Sequence, residues 1–215
     1  MKHYFLLIFS VPFFVLSSCN KKRDEPKPYN PYNVYPLFPL EKEDTLSDAE
    51  YKVYSDFFSA EIKSAGNVNL AQQTNYWNSI PNNFPLDTVR KTHGGFDSTI
   101  FVNYNKINQK AYVLGNKIKI PSAKVVLIPT SELIYYFSHK DPLSQDGLNH
   151  SQGLYEKYSG GYYTISRVGF NADKTEAVMS VSISSAPQNA YGYTALLKKL
   201  NDNWVVIYEM NGWMS

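Results

Sequence analysis

The chain has a single cysteine, Cys19, and this scarcity excludes several kinds of chemistry. One cysteine cannot form an internal disulfide, and no thiol after residue 19 is left to act as a nucleophile or to ligate zinc or an iron–sulfur cluster. The fold must therefore be stabilised by its core. For that purpose the 215 residues include 18 Tyr, 12 Phe and 3 Trp, which supply large apolar surfaces.

A strong net charge is also lacking. The chain contains 21 basic and 19 acidic residues, with a formal net charge of +2 at pH 7. Such a near-neutral balance produces no extended basic surface of the kind that attracts nucleic acid. We therefore predict that nucleic acid is not a partner.

Recognised catalytic motifs are missing as well. The sequence has no Gly-x-Ser-x-Gly nucleophile turn, and no glycine-rich loop follows a strand and opens a helix to bind phosphate. The pairs Gly94-Gly95 and Gly160-Gly161 are better explained as turns with positive φ. The sequence thus predicts no catalytic residue, no metal ligand and no bound cofactor.

Long apolar runs are confined to the N-terminus. Residues 5–16 are apolar apart from Ser10 and Pro12. This run is too short to cross a bilayer, which requires about 20 apolar residues in a helix. A basic start, a short apolar run and small residues after it are the layout of a signal peptide, which we assign to residues 1–18.

The residues that end this segment point to an anchoring site. Leu16-Ser17-Ser18-Cys19 resembles the lipobox of bacterial lipoprotein precursors. The resemblance implies that Cys19 becomes the lipidated N-terminus of an exported protein held on a membrane of the cell envelope, the outer membrane being expected. One acyl chain binds a membrane only reversibly, so the two or three chains on such a residue are what provide stable anchoring. The alternative is an ordinary secretory signal that is cut nearby.

A proline-rich segment follows the cysteine. Residues 19–45 contain five prolines interleaved with tyrosine and charged residues. Because proline restricts its own φ and its predecessor, we predict a semi-rigid tether that reaches at most about 3.1 Å per residue where it is polyproline-like. Two alternatives are a proline-rich ligand for an aromatic groove and docking of the segment onto its own domain.

Residues 46–215 are predicted to form one α+β domain that opens with a long helix. Ser47 and Glu50 have the spacing of a capping box, and apolar residues follow at helical intervals on one face: Tyr51, Tyr54, Phe58 and Ile62. This pattern predicts a helix over residues 47–64. The stretch 66–95, rich in Asn, Gln and Pro, is predicted to be irregular or partly helical.

The remainder of the domain is predicted to be mainly sheet. Strands are predicted at 99–104, 111–114, 124–128, 162–170, 176–184, 193–200 and 204–208, and short helices at 130–137 and 152–158. The last four strands are expected to form two hairpins in a four-stranded antiparallel meander. Apolar residues at 177, 179, 181 and 183 alternate with mostly polar ones, which indicates a strand with one buried side.

Two resemblances concern the fold. The segment from Tyr162 to Asn171, with residues 174–178, 193–204 and the terminal Trp213-Met214-Ser215, resembles the C-terminal part of a group of uncharacterised bacterial envelope proteins. Among the residues that carry this resemblance, Gly169 suits a bend or bulge, and Trp204 and Trp213 suit core positions. The order of elements is also similar to cone-shaped NTF2-like or cystatin-like folds, which implies that a curved sheet wraps the long helix.

Potentially reactive residues are concentrated in one loop. His139, Asp141, Asp146 and His150 lie between the two predicted short helices, but their spacing matches no recognised metal site, and a solvated loop explains them better. Arg167 lies in an otherwise apolar predicted strand. There a guanidinium requires an acidic partner or a bound anion, and we predict an ion pair with Glu132, Glu156 or Glu176.

Two hypotheses of function follow. The absence of catalytic signatures, together with the tether and the many aromatic residues, favours a noncatalytic module that binds an envelope protein or a glycan. The alternative is a small envelope hydrolase that uses the residues between His139 and His150.

Overall fold

A computed structural model describes residues 37–75, 86–138 and 151–214. Within these ranges the helices are α1 (Asp48–Glu61), α2 (Leu86–His93), α3 (Thr99–Ile107), α4 (Thr130–Ser138) and α5 (Gln152–Lys157). The strands are β1 (Gly66–Ala71), β2 (Ala123–Ile128), β3 (Tyr162–Ile165), β4 (Gly169–Phe170), β5 (Glu176–Ala186), β6 (Asn189–Leu200) and β7 (Asn203–Met214). The predicted α+β class is confirmed.

The strands form one sheet in the order β2-β1-β3-β5-β6-β7, with β4 beside β5. Strands β3 to β7 pair in antiparallel fashion, whereas β1 is parallel to both β2 and β3. The sheet is therefore mixed, and the prediction of a purely antiparallel sheet was wrong. The reason is that the chain between β1 and β2 includes α2 and α3, and a long crossover of this kind returns a strand in the same direction.

Helix α1 begins with the predicted capping box. The Glu50 amide donates to the Ser47 hydroxyl at 3.3 Å, and the Ser47 amide donates to the Glu50 carboxylate at 3.0 Å. The helix ends at Glu61, since Ile62 has an extended backbone, which is slightly earlier than predicted. Its apolar side lies on one face of the sheet, where Phe58 meets Tyr163 edge to face with ring centroids 5.2 Å apart.

The opposite face of the sheet is covered in part by α3. Ile100 and Tyr104 are fully buried and form a cluster with Val178 of β5 and Leu196 of β6. Residues 99–104 were predicted as a strand from their β-branched and aromatic content, and this prediction was wrong. Ile100 and Tyr104 lie one helical turn apart, and burying that pair against the sheet outweighs the local strand preference.

Two further differences concern strands. Strand β1 lies in the stretch predicted to be irregular, because it forms by parallel pairing with β2 and β3, which are distant in the chain. Its polar Asn69 is buried there, and the Asn69 side-chain amide donates to the Gly161 carbonyl at 2.9 Å. Residues 111–114 form no strand beyond a single bridge between Val113 and Gln73. The predicted strand 162–170 is divided into β3 and β4, since the chain leaves the ladder between them.

Part of the predicted tether contacts the domain. The Glu41 backbone exchanges two hydrogen bonds with the side-chain amide of Gln72, both at 2.9 Å. The Glu41 carboxylate accepts from the amide of Thr130, the first residue of α4, at 3.0 Å. Asp44 exchanges hydrogen bonds with the Val113 backbone. Residues 41–44 are thus attached to the folded domain, as in the docking alternative, and residues 19–36 lie outside the described residues.

Gly169 is required by a close approach of α3 to β4. A Cβ atom at this position would lie 2.5 Å from the Ile100 carbonyl oxygen and 2.6 Å from the Tyr104 Cβ. These neighbours are backbone or near-backbone atoms that cannot turn away. The position predicted for a bend or bulge is therefore a helix–strand contact.

We expect Gly169→Ala to lower the free energy of unfolding by about 1–3 kcal/mol, the usual range for overpacking a filled site. The measurement is chemical denaturation. Gly66→Ala is the control, since nothing lies within 4 Å of its Cβ position, and it should cause no loss of stability. Equal stability of the two variants would contradict the close packing of α3 on β4.

Candidate binding groove

Two sets of residues singled out in the sequence lie outside the described residues. They are Cys19 and the loop residues His139, Asp141, Asp146 and His150, so their roles stay predictions. Within residues 37–75, 86–138 and 151–214, no three His, Cys, Asp or Glu side chains are grouped so that they could hold a metal ion. In the same ranges no helix has the length and apolar content to cross a bilayer.

Arg167 forms an ion pair, but with a different partner from those predicted. Its Nε and Nη2 donate to the two carboxylate oxygens of Glu50, each at 2.9 Å, and its guanidinium carbon lies 4.3 Å from the Tyr112 ring centroid. Glu132, Glu156 and Glu176 instead contact Lys157, Gln152 and Lys198, respectively. The prediction failed because Arg167 lies between β3 and β4 rather than within a strand, and its side chain reaches the first turn of α1.

The ion pair is largely shielded from water. Side-chain exposure is 3% for Glu50 and 16% for Arg167. Burial alone would raise the pKa of Glu50, but hydrogen bonds from Arg167 and Ser47 and the charge of Arg167 outweigh it and hold the pKa below its ordinary value of 4.5. All the acceptor and donor atoms named here are paired within the protein. This pair therefore orients α1 on the sheet, and it is not an anion-binding site.

An open part of the sheet lies on the face opposite α1, beyond the part that α3 covers. Register places one residue from each of four strands in a row: Thr164 of β3, Ser182 of β5, Gly192 of β6 and Trp213 of β7. A cavity of about 210 Å³ lies along this row, and Trp213 lines both this cavity and a cavity of about 450 Å³ at the ends of β6 and β7. We call this feature the sheet groove.

The indole of Trp213 lies across the sheet because its neighbour in the row is a glycine. A Cβ atom on Gly192 would lie 2.8 Å from Cε2 of the indole and would also collide with Nε1. The ring therefore occupies the space above the Gly192 backbone. Trp204 is buried, as predicted, whereas Trp213 is only half-buried and lines the groove, so the core position predicted for it was wrong.

Hydroxyl and amide groups line the smaller cavity. The Asn75 side-chain amide donates to the Ser182 hydroxyl at 3.2 Å, and the Tyr155 and Ser184 hydroxyls are 2.6 Å apart. Burial, with a smaller effect of the neighbouring Tyr155, raises the pKa of Tyr162 to about 12, so its phenol is neutral under ordinary conditions. Hydrogen bonding fixes these hydroxyls while each keeps further donor or acceptor capacity.

The groove carries no charge on its described lining. The residues that line the two cavities are Asn75, Tyr162, Thr164, Ser182, Ile183, Ser184, Ala190, Tyr191, Gly192, Gly212, Trp213 and Met214. None of them is an acid, a base or a histidine. This set can form hydrogen bonds and pack against an apolar surface. Its described titratable side chains are tyrosines, and burial raises the pKa of Tyr162 to about 12.

Sequence reasoning came close to this site without identifying it. The alternation of Ser180, Ser182 and Ser184 was interpreted as a polar face turned to solvent. What it could not indicate is that β7 brings a tryptophan onto the same face, two strands away. The combination of serines spaced by two with an aromatic residue opposite a glycine is the signal that points to the groove.

A third cavity, of about 320 Å³, is separate from the sheet groove and lies beside the edge strand β2. Its apolar wall includes Leu37 and Phe38 of the N-terminal segment. Three of its polar residues are matched to one another, since the Glu132 carboxylate accepts from Lys157 at 2.5 Å and from the Tyr158 hydroxyl at 3.0 Å. The sheet groove is therefore the stronger candidate for a binding site.

Comparisons of the chain with protein-family models, with curated proteins and with solved structures give no match. Function must therefore be argued from the residues themselves.

We expect Glu50→Gln to lower the free energy of unfolding by about 3 kcal/mol, because it leaves the partly buried Arg167 without its compensating charge. The control is Asp48→Asn, an exposed acid in the same first turn, which should cost less than about 1 kcal/mol.

The pH dependence of the same variants provides a second measurement. Because the folded-state pKa of Glu50 is lowered, its contribution is present above the ordinary value of 4.5 and is lost as the pH falls through the folded-state value. The stability difference between wild type and Glu50→Gln should therefore shrink below about pH 4.5. A difference that stays constant there would contradict the ion pair.

Proposed function

We propose that this chain is a lipid-anchored protein of the bacterial cell envelope whose domain binds a ligand in the sheet groove without changing it chemically. Two independent features support the proposal. The lipobox resemblance at Leu16 to Cys19 supports the anchor, and the described lining of the groove, which contains no Asp, Glu, His, Lys or Arg, supports a binding surface. The observation that carries the binding role is the row in which Trp213 lies over Gly192 beside Ser182.

The proposal includes a class of fold. We assign the domain to the cone-shaped NTF2-like or cystatin-like architectures, in which a curved sheet holds a helix on one side and leaves an open cavity. The packing of α1 on one sheet face and the antiparallel run of β5, β6 and β7 at the end of the chain support this assignment. Because such architectures hold both enzymes and binding proteins, the fold carries no argument about activity.

Membrane attachment through Cys19 is tested in a bacterial host by separating membranes from soluble protein. Cys19→Ala should move the protein out of the membrane fraction, because lipid on that residue is the proposed anchor. Ser17→Ala is the matched control, since it keeps a small residue before the cysteine and should leave the protein on the membrane. Membrane residence that is unchanged in Cys19→Ala would overturn this part of the proposal.

The noncatalytic role is tested by incubating the purified protein with isolated envelope polysaccharide and peptidoglycan and analysing the material by mass spectrometry. Material that binds and is recovered unchanged supports the proposal. Release of cleavage products that stops in the double variant His139→Ala, His150→Ala would overturn it in favour of a hydrolase that uses the loop 139–150. A Ser144→Ala variant in the same loop is the control for nonspecific effects.

A further inference from the structure

We propose that the ligand of the sheet groove is an uncharged oligosaccharide, with Trp213 as the surface on which a sugar ring stacks and Gly192 as the residue that positions the indole. This inference rests on the proposed binding function and names the class of ligand. It is argued from three properties of the groove: its charge, its polar groups and its aromatic platform.

The described lining of the groove offers no opposite charge to an ionic ligand. An anion or cation held in a partly enclosed cavity requires an opposite charge, because its lost hydration is otherwise uncompensated. The described lining of both cavities contains no Lys, Arg, Asp, Glu or His. Elsewhere on the described domain, the buried acids Glu50 and Glu132 are paired with the bases Arg167 and Lys157. A neutral ligand therefore fits the groove best.

The polar groups exclude a purely apolar ligand. Ser182, Ser184, Thr164 and Asn75 line the smaller cavity, and an apolar molecule placed over them would remove water without replacing its hydrogen bonds. A sugar carries several hydroxyls that donate and accept in the same way as Ser and Thr side chains. A set of fixed hydroxyl and amide groups is thus complementary to a polyhydroxylated ligand.

The aromatic platform supplies the remaining requirement. A sugar ring presents an apolar face of C–H groups, which packs against the face of an aromatic ring. Trp213 lines both cavities, whereas Tyr191 and Met214, which pair with each other in the row next to Gly192 and Trp213, border the larger cavity from the other face of the sheet. The four-strand row is about 14 Å across at the usual strand spacing, which accommodates a short chain of sugars rather than one unit.

The position of Gly192 provides a specific signature. Any side chain at this position would collide with the indole and displace it from the groove. Gly192→Ala should therefore weaken binding through Trp213 alone. If so, the effects of Gly192→Ala and Trp213→Ala will not add, since the second change removes the ring that the first displaces.

The experiment measures binding of the full-length protein in detergent to a panel of neutral oligosaccharides, namely gluco-, manno-, galacto- and xylo-oligosaccharides, by calorimetry. We expect at least one to bind, with affinity reduced about tenfold or more in Trp213→Ala, as for a central aromatic contact. Gly192→Ala should have a similar effect, and the double variant should be no weaker than Trp213→Ala. Melting temperatures of all variants establish that they are folded.

Phe38→Ala is the matched control, because it removes an aromatic ring that lines the separate cavity beside β2, and it should leave the affinity unchanged. A change in tryptophan fluorescence on adding sugar, present in the wild type and absent in Trp213→Ala, would support direct stacking. Neutral sugars whose binding survives both groove substitutions would overturn the inference.

Acidic oligosaccharides and envelope peptides complete the panel. If only these bind, and the binding is lost in Trp213→Ala, the ligand class is wrong while the proposed binding function stands. Stronger binding of an acidic sugar that weakens as salt is added would likewise overturn the neutral ligand. Failure of the binding function itself would show instead as cleavage of envelope material in the incubation described above.

Discussion

The pairing of β5 with β6 assigns each central side chain to one of two sheet faces, and the layers of the domain depend on that assignment. Residues 177, 179 and 181 face α1 together with their partners on β6, so the larger core lies on that side. Residues 178, 180, 182 and 184 face the other way. Because α3 covers only the Val178 end of this second face, the Ser182 end is left as an open groove.

Charged side chains are present where α1 packs on the sheet but not among the described residues that line the sheet groove. The Glu50–Arg167 pair joins the first turn of α1 to the connection between β3 and β4, where both side chains are largely shielded. Removing one partner of such a buried pair lowers the stability of the fold strongly, so the pair holds the helix and the sheet together. The groove, in contrast, has neutral hydroxyls and aromatic rings along its described lining. The ligand specificity of the proposed site would therefore come from shape and hydrogen bonding.

The anchor and the binding groove that we propose would together hold a ligand near a membrane. The N-terminal segment reaches the domain at Glu41 and Asp44, which are hydrogen-bonded to Gln72, Thr130 and Val113. A lipid on Cys19 would thus be linked to the domain through a short proline-rich connection that ends on the β1 and α4 side. Trp213 lies on the far side of β5 and β6 in the strand order, at the β7 edge.

The sequence by itself determined the local features: the capping box of α1, helices α4 and α5, strand β2, the hairpin strands β5 to β7 and the positive φ of Gly94, Gly160 and Gly161. Each of these depends on neighbouring residues. Tertiary structure decided the helical state of 99–107, the strand at Gly66–Ala71, the Glu50 partner of Arg167 and the place of Trp213. Each of these depends on a contact between residues far apart in the chain, whose burial or pairing energy outweighs the local preference.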